Sequence, residues 1–155
     1  MEKDKVKAVL ERLQRQCARM ECAPSDIMRK ALVALDGDAQ AAEKVVASLE
    51  SDGFLDGKRY AAAYAREKST LSGWGPYKIR QGLAAKGVSR EDADAAMGEV
   101  DAAKSEGRLM EVAEAKYRLL KGDPAARLKL LKFLLSRGYE YDQAARAADA
   151  VERER

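Results

Sequence analysis

Apolar side chains recur along this chain at helical spacing. Ala42, Val45, Val46 and Leu49 stand at i, i+3, i+4 and i+7, as do Ala93, Ala96, Met97 and Val100, and again Ala144, Ala147, Ala148 and Val151. That spacing puts four side chains on one face of a helix, the face that is buried. A glycine precedes each stretch: Gly37, Gly87 and Gly138. Upstream of each glycine lies a shorter apolar pattern that opens near a proline. Ile27, Leu32 and Leu35 follow Pro24; Ile79 and Leu83 follow Pro76; Leu128, Leu131, Leu134 and Leu135 follow Pro124. Proline suits the first turn of a helix, where its missing N–H costs nothing, and glycine suits the left-handed position that ends one. A further helix is expected before each proline, over Val6 to about Cys17, Tyr60 to about Lys68 and Leu109 to about Leu120. Asp38, Asp56 and Ser89, the last followed by Asp92, are expected helix caps.

The three prolines lie 52 and 48 residues apart, and the same helix, proline, helix, glycine, helix order follows the chain through each interval. The pattern therefore reads as three tandem three-helix repeats, over 1–52, 53–103 and 104–155. Repeats of this length stack on their neighbours, so an elongated, curved array is expected. Composition agrees with an all-α protein. Of 155 residues, 29 are Ala, while Val, Ile and Thr number only nine, two and one, too few to populate a sheet.

Composition also narrows the chemistry. There is no His, which removes the commonest general acid–base side chain and the commonest zinc ligand. Cys17 and Cys22 have no further Cys or His beside them to complete a metal site. A disulfide across that span is expected to bend a helix out of shape, so both read as reduced packing residues. No phosphate-cradling glycine loop is present, because Gly73-Trp74-Gly75 lacks the Gly-Lys-Ser/Thr element. Acids such as Glu91, Asp92 and Asp94 sit where they complement a helix dipole. A non-enzyme without metal or cofactor is expected. No membrane-length apolar run and no leader sequence are read, so a cytoplasmic protein is expected.

Net charge is +3, but it is unevenly spread. Residues 53–90 carry +6 and residues 91–114 carry −6, with +4 in 115–155 and −1 in 1–52. The basic middle suits an acidic or polyanionic partner, although a solvated helical face would also account for it.

The central segment is the most distinctive. Gly53-Phe54-Leu55-Asp56 leads into Arg59-Tyr60-Ala61, and Gly75-Pro76 is followed by Ile79-Arg80, Leu83 and Lys86-Gly87-Val88. Phe133-Leu134 and Arg137-Gly138-Tyr139 repeat the end of that run. This combination resembles the RecX family of bacterial regulatory proteins. Two positions depart from the family pattern: Gly57 stands where a second Asp is usual, and Ala23 where Ser is usual. The resemblance implies a non-catalytic modulator that binds along the RecA–DNA filament and mainly inhibits its ATP hydrolysis, strand exchange and growth. Direct contact with single- or double-stranded DNA stays open, as does a stand-alone DNA-binding role or a scaffold for an unrelated partner. A monomer with no membrane partner is expected.

Arg59, Arg66, Lys68, Lys78, Arg80, Lys86 and Arg90 form one candidate partner-binding group, and Arg127, Lys129, Lys132 and Arg137 a second. Ile79 and Leu83 define a buried face, so Lys78 and Lys86 are expected to project away from it. Arg59 has a rival role, pairing with Asp56 to hold the turn. Trp74 is read as closing its own core, with an exposed interface anchor as the alternative. Tyr60, Tyr64, Phe54 and Phe133 are expected in the core, and Asp56, Pro76, Gly87 and Gly138 are expected to shape turns.

Overall fold

A computed structural model of the chain describes residues 2–154. Nine helices and no strand occur among the described residues, so the fold is an all-α helical repeat. The helices are α1 (Glu2–Arg19), α2 (Pro24–Ala34), α3 (Ala39–Ser51), α4 (Gly57–Thr70), α5 (Pro76–Ala85), α6 (Arg90–Gly98), α7 (Ala102–Leu119), α8 (Ala126–Ser136) and α9 (Tyr141–Arg153). They pack as two compact units, one of residues up to Ala63 with Leu83–Ala95, the other of Tyr64–Gly82 with Ala96 onward. The division falls inside α4, α5 and α6.

The expected caps form. Asp38 accepts the Ala41 N–H, Asp56 the Arg59 N–H and Ser89 the Asp92 N–H, each at 3.1 Å. Such bonds satisfy donors that a helix start leaves orphaned, at about 1 kcal/mol each. Two further caps were not read from the sequence: Asp101 on α7 and a Glu140–Gln143 capping box on α9. Gly37, Gly87 and Gly138 all take positive φ, as the helix-ending role requires. Pro24 and Pro76 open α2 and α5, but Pro124 lies two residues ahead of α8. There the Asp123 carboxylate accepts the Ala125 N–H at 2.8 Å and the Lys129 ammonium at 2.5 Å, forming a turn that holds Pro124 outside the helix. Lys129 first, then Ala125, holds the Asp123 carboxyl below its ordinary range.

In the first unit α1 and α2 pack on α3, and Val9, Leu13, Ile27, Ala31, Val45 and Leu49 lie in one apolar cluster. In the second unit α7, α8 and α9 pack together around Leu109, Leu130, Leu134, Tyr139, Ala148 and Val151. All eight apolar positions expected on the buried faces of α3 and α9 are buried. Phe54, Phe133, Tyr60 and Tyr64 are half-buried rather than central. Burial pushes the Tyr64 and Tyr139 hydroxyls up from their ordinary pKa, so both stay neutral.

Both cysteines are buried free thiols of the first core. The geometric objection to their pairing does not hold, because α1 ends at Arg19 and Cys22 lies beyond it. Burial, then the hydrogen bond with Cys22, pushes the Cys17 thiol from 9.0 up to about 12. A raised folded value means stability that is complete below pH 9 and lost as pH climbs toward 12. Iodoacetamide at pH 8 is therefore expected to modify Cys17 at least roughly tenfold more slowly in the native protein than in denaturant, since thiolate and access are both needed. Equal labelling rates, followed by mass spectrometry, would contradict this burial.

Candidate functional site

The motif residues first do structural work. Ala23, the N-cap of α2, offers no side-chain cap, and the N–H of Ser25 in the first turn instead donates to the Lys86 carbonyl at 3.1 Å. One repeat on, the same device recurs at the start of α5. The Gly75 N–H donates to the Arg137 carbonyl at 2.8 Å and the Tyr77 N–H to the Gly138 carbonyl at 3.0 Å. Lys86-Gly87 and Arg137-Gly138 thus each present carbonyls to orphan donors of the preceding repeat. Their glycines are needed twice over, for positive φ and for close approach of two backbones. A Cβ on Gly87 would stand 3.1 Å from the Ser25 nitrogen, and one on Gly138 would collide with the backbone nitrogen and Cβ of Lys78. The basic side chains reach back as well. Lys86 Nζ lies 3.2 Å from Asp26 Oδ2, and the Arg137 guanidinium donates to the carbonyls of Gly73, at 3.1 Å, and Ser72.

Trp74 lies between the two sequence-based readings, neither fully in the core nor fully exposed. It is half-buried, with Lys68 Nζ 4.7 Å and Lys78 Nζ 4.5 Å from its ring centroid. Tyr64 meets it edge-on, with centroids 6.3 Å apart at 72°. Two ammonium groups on one indole each contribute about 0.5–1 kcal/mol of cation–π attraction. Gly82 leaves the room on α5 that the Tyr64 hydroxyl occupies. The Trp74 N–H donates to the Lys68 carbonyl at 2.9 Å, so the chain leaving α4 turns directly into this cluster. Trp74 also lines a groove of about 610 Å³ with Ile79, Leu109, Met110, Gln143 and Arg146.

The remaining cations divide by what they touch. Arg59 is held by Glu21 at 2.5 Å and by the Gly53 carbonyl at 3.2 Å, and the Glu21 bond raises its pKa further. Its expected partner, Asp56, takes the Arg59 backbone N–H instead. Arg127 pairs with Asp149 at 2.7 Å and Glu152 at 3.5 Å, and Lys129 with Asp123. Lys78 and Lys86 therefore do not simply project outward: one rests on Trp74 and the other on Asp26. Arg66, Arg90 and Lys132 are exposed with no ion pair among the described residues, and Arg80 is exposed. Two cations were missed in the sequence. Arg108 donates to the Leu71 carbonyl at 3.0 Å, and Lys116 lies 4.9 Å from the Phe133 ring. Neither contact has a local signal, since Leu71 lies just past the end of α4 and Phe133 on α8.

Residues 56–97 match the family model of the second three-helix domain of RecX, and residues 106–147 match that of the third. The chain belongs to the RecX family. It is 36% identical over 110 residues to the regulatory protein RecX of Shigella sonnei (strain Ss046), across 68% of this chain and 63% of that protein. The regulatory protein RecX of Escherichia coli O1:K1 / APEC matches to the same extent. The chain thus spans under two thirds of the length of these curated relatives. Two solved structures share its fold. A crystal structure of regulatory protein RecX superposes with a TM-score of 0.84 at 23% identity, covering 96% of this chain and 73% of that one. RecX from Lactobacillus salivarius gives 0.82 at 19% identity, covering 96% and 97%. The Lys86-Gly87 and Arg137-Gly138 runs are the points at which a later repeat caps the one before it.

No metal-holding group of three or more His, Cys, Asp or Glu occurs among the described residues. No described helix is long and apolar enough to cross a membrane.

Proposed function

We propose that this RecX-family protein is a non-catalytic regulator of homologous recombination and DNA repair that acts on a RecA recombinase. It binds the RecA–DNA filament as a cytoplasmic monomer and mainly inhibits ATP hydrolysis, strand exchange and filament growth. The repeat boundaries proposed with it are 1–52, 53–103 and 104–155. The observation that carries this reading is the family match of two successive three-helix domains to proteins named as regulatory. The basic character of 53–90 supports a polyanionic filament as partner, and cations left unpaired by the fold are the ones available to it.

Titration into a RecA ATPase assay on single-stranded DNA tests the proposal. The ATPase rate is expected to fall, and the protein to co-sediment with filaments. No inhibition and no co-sedimentation would sink it, while tight, salt-sensitive binding to naked duplex would favour a stand-alone DNA-binding role. The structure also selects the informative variants. Arg66→Glu combined with Lys132→Glu touches exposed cations of one unit, and is expected to weaken co-sedimentation at least tenfold, about 1.4 kcal/mol, with the melting temperature unchanged. Lys86→Glu is a poor probe, because it sets a carboxylate against Asp26.

A further inference from the structure

The first repeat has a net charge of −1, and its sequence points to no binding face. The fold sorts those charges. Lys5, near the start of α1, reaches Asp36, just past the end of α2, so the two helices run in opposite directions with a groove of about 940 Å³ between them. Residues 1–52 hold nine basic and ten acidic side chains; five of the bases line this groove and none of the acids does. Lys5, Arg12 and Arg15 come from α1, and Arg29 and Lys30 from α2. Lys5 is paired with Asp36 and Arg29 with Asp26, at 3.3 Å for the second. Arg12, Arg15 and Lys30 are exposed and make no ion pair among the described residues.

Apart from Gln16, the lining between the cations is apolar. Val9 and Leu13 form the floor from the core side, with Ala8 and Ala34 beside them, and Val33 stands on the rim at 75% exposure. A nucleic acid strand would find phosphate partners here but no aromatic side chain on which its bases could stack. An apolar stripe flanked by unpaired positive charge is instead the complement of an amphipathic helix with acidic borders. The groove is lined on α1 from Lys5 to Gln16, and the opposite wall, the 11-residue α2, is about 16 Å long, enough to accompany about three turns of a partner helix.

We propose that the α1–α2 groove docks an acidic amphipathic helix of a protein partner, with Arg12, Arg15 and Lys30 meeting its carboxylates and Val33 its apolar face. The proposal is independent of the RecA reading and uses none of the residues on which that reading rests.

The test uses the full chain and a designed, fluorescein-labelled 16-residue helix with Leu at i, i+3, i+4 and i+7 spacing and Glu elsewhere. A twin with Lys in place of Glu and a 20-nucleotide oligo-dT strand serve as competitors. Anisotropy is expected to show salt-sensitive binding of the Glu helix with a dissociation constant of roughly tens of micromolar. NMR shift changes should centre on Val9, Leu13 and Val33. Arg12→Glu combined with Lys30→Glu should weaken binding at least tenfold. Val33→Asp should do so too, and as an exposed position it leaves the fold intact. Equal binding of the Lys twin, unchanged affinity in the variants, shifts elsewhere on the surface, or displacement of the helix by oligo-dT would each overturn the proposal.

Discussion

Gly138→Ala is expected to destabilise the second unit by about 3 kcal/mol, the combined cost of left-handed backbone and an overfilled contact. Gly138 has φ +93, and its missing Cβ is where the backbone nitrogen and Cβ of Lys78 pass. Neither obstacle can rotate away, because both belong to the main chain at the start of α5 or are attached directly to it. Relief would require withdrawing the Gly138 carbonyl from the Tyr77 N–H, which would leave a helix donor unpaired. Gly37 supplies the control. Its φ is +83, but nothing lies within 4 Å of an added Cβ, so Gly37→Ala carries only the conformational cost of about 1 kcal/mol. Gly87, with the Ser25 nitrogen at 3.1 Å, should fall between them. Trp74 is the sole tryptophan and lies in the same unit as Gly138, so its fluorescence during urea unfolding reads the Gly138 variant directly. Circular dichroism reads the other two. Equal losses for Gly138→Ala and Gly37→Ala would refute the close approach of the two repeats.

Leu130→Ala should cost about 3 kcal/mol, whereas Leu128→Ala should stay within about 0.5 kcal/mol. Both belong to the leucine-rich α8, two residues apart, yet Leu130 is 0% exposed and Leu128 54%. Truncating Leu130 leaves a cavity among Leu109, Leu134 and Ala148, whereas truncating Leu128 leaves water where water already was. Urea midpoints for the pair decide the matter, and similar shifts would mean that α8 is rotated from the orientation described. Apolar spacing alone does not fix the buried face of this helix. It puts Leu128, Leu131, Leu134 and Leu135 on the inner stripe, but Leu128 and Leu135 are exposed, Leu131 is half-buried and the buried Leu130 lies off that stripe. The run Leu-Lys-Leu-Leu-Lys-Phe-Leu-Leu is apolar on several sides, so it has no single phase to read.

Where apolar residues are sparse the phase is legible in α3 and α9. Of the stripe expected on α6, only Ala93 and Ala96 are buried, while Met97 is half-buried and Val100 lies past the helix end at Gly98. The α3 and α9 stripes are each set against polar positions, and each is buried as the i, i+3, i+4, i+7 pattern requires. Caps behave likewise. Asp38, Asp56 and Ser89 lie three residues from the N–H groups they accept, so chain distance alone brings them together. The aromatic residues are less legible, since Trp74 is half-buried with the ammonium groups of Lys68 and Lys78 over its ring.

The candidate cations show the same division most clearly. Composition and motif spacing marked eleven basic residues, and a lysine used inside the molecule cannot be told by sequence from one left outside. Lys86 meets a carboxylate 60 positions away, and Arg137 meets carbonyls 64 and 65 positions away. The cationic groove of the first repeat was invisible for the converse reason, since nine bases and ten acids cancel until the helices sort them onto different faces. By itself, then, the sequence determined the all-α class, the repeating order of helix, proline, helix, glycine and helix, most caps and turns, and the family. These depend on neighbours within about one helical turn, or on motif residues that can be read in line. Tertiary structure alone decided which leucines of α8 are inside, which glycines touch another backbone, and which charges remain for a partner. Each of those depends on groups brought together only when helices pack, and no local rule reaches that far.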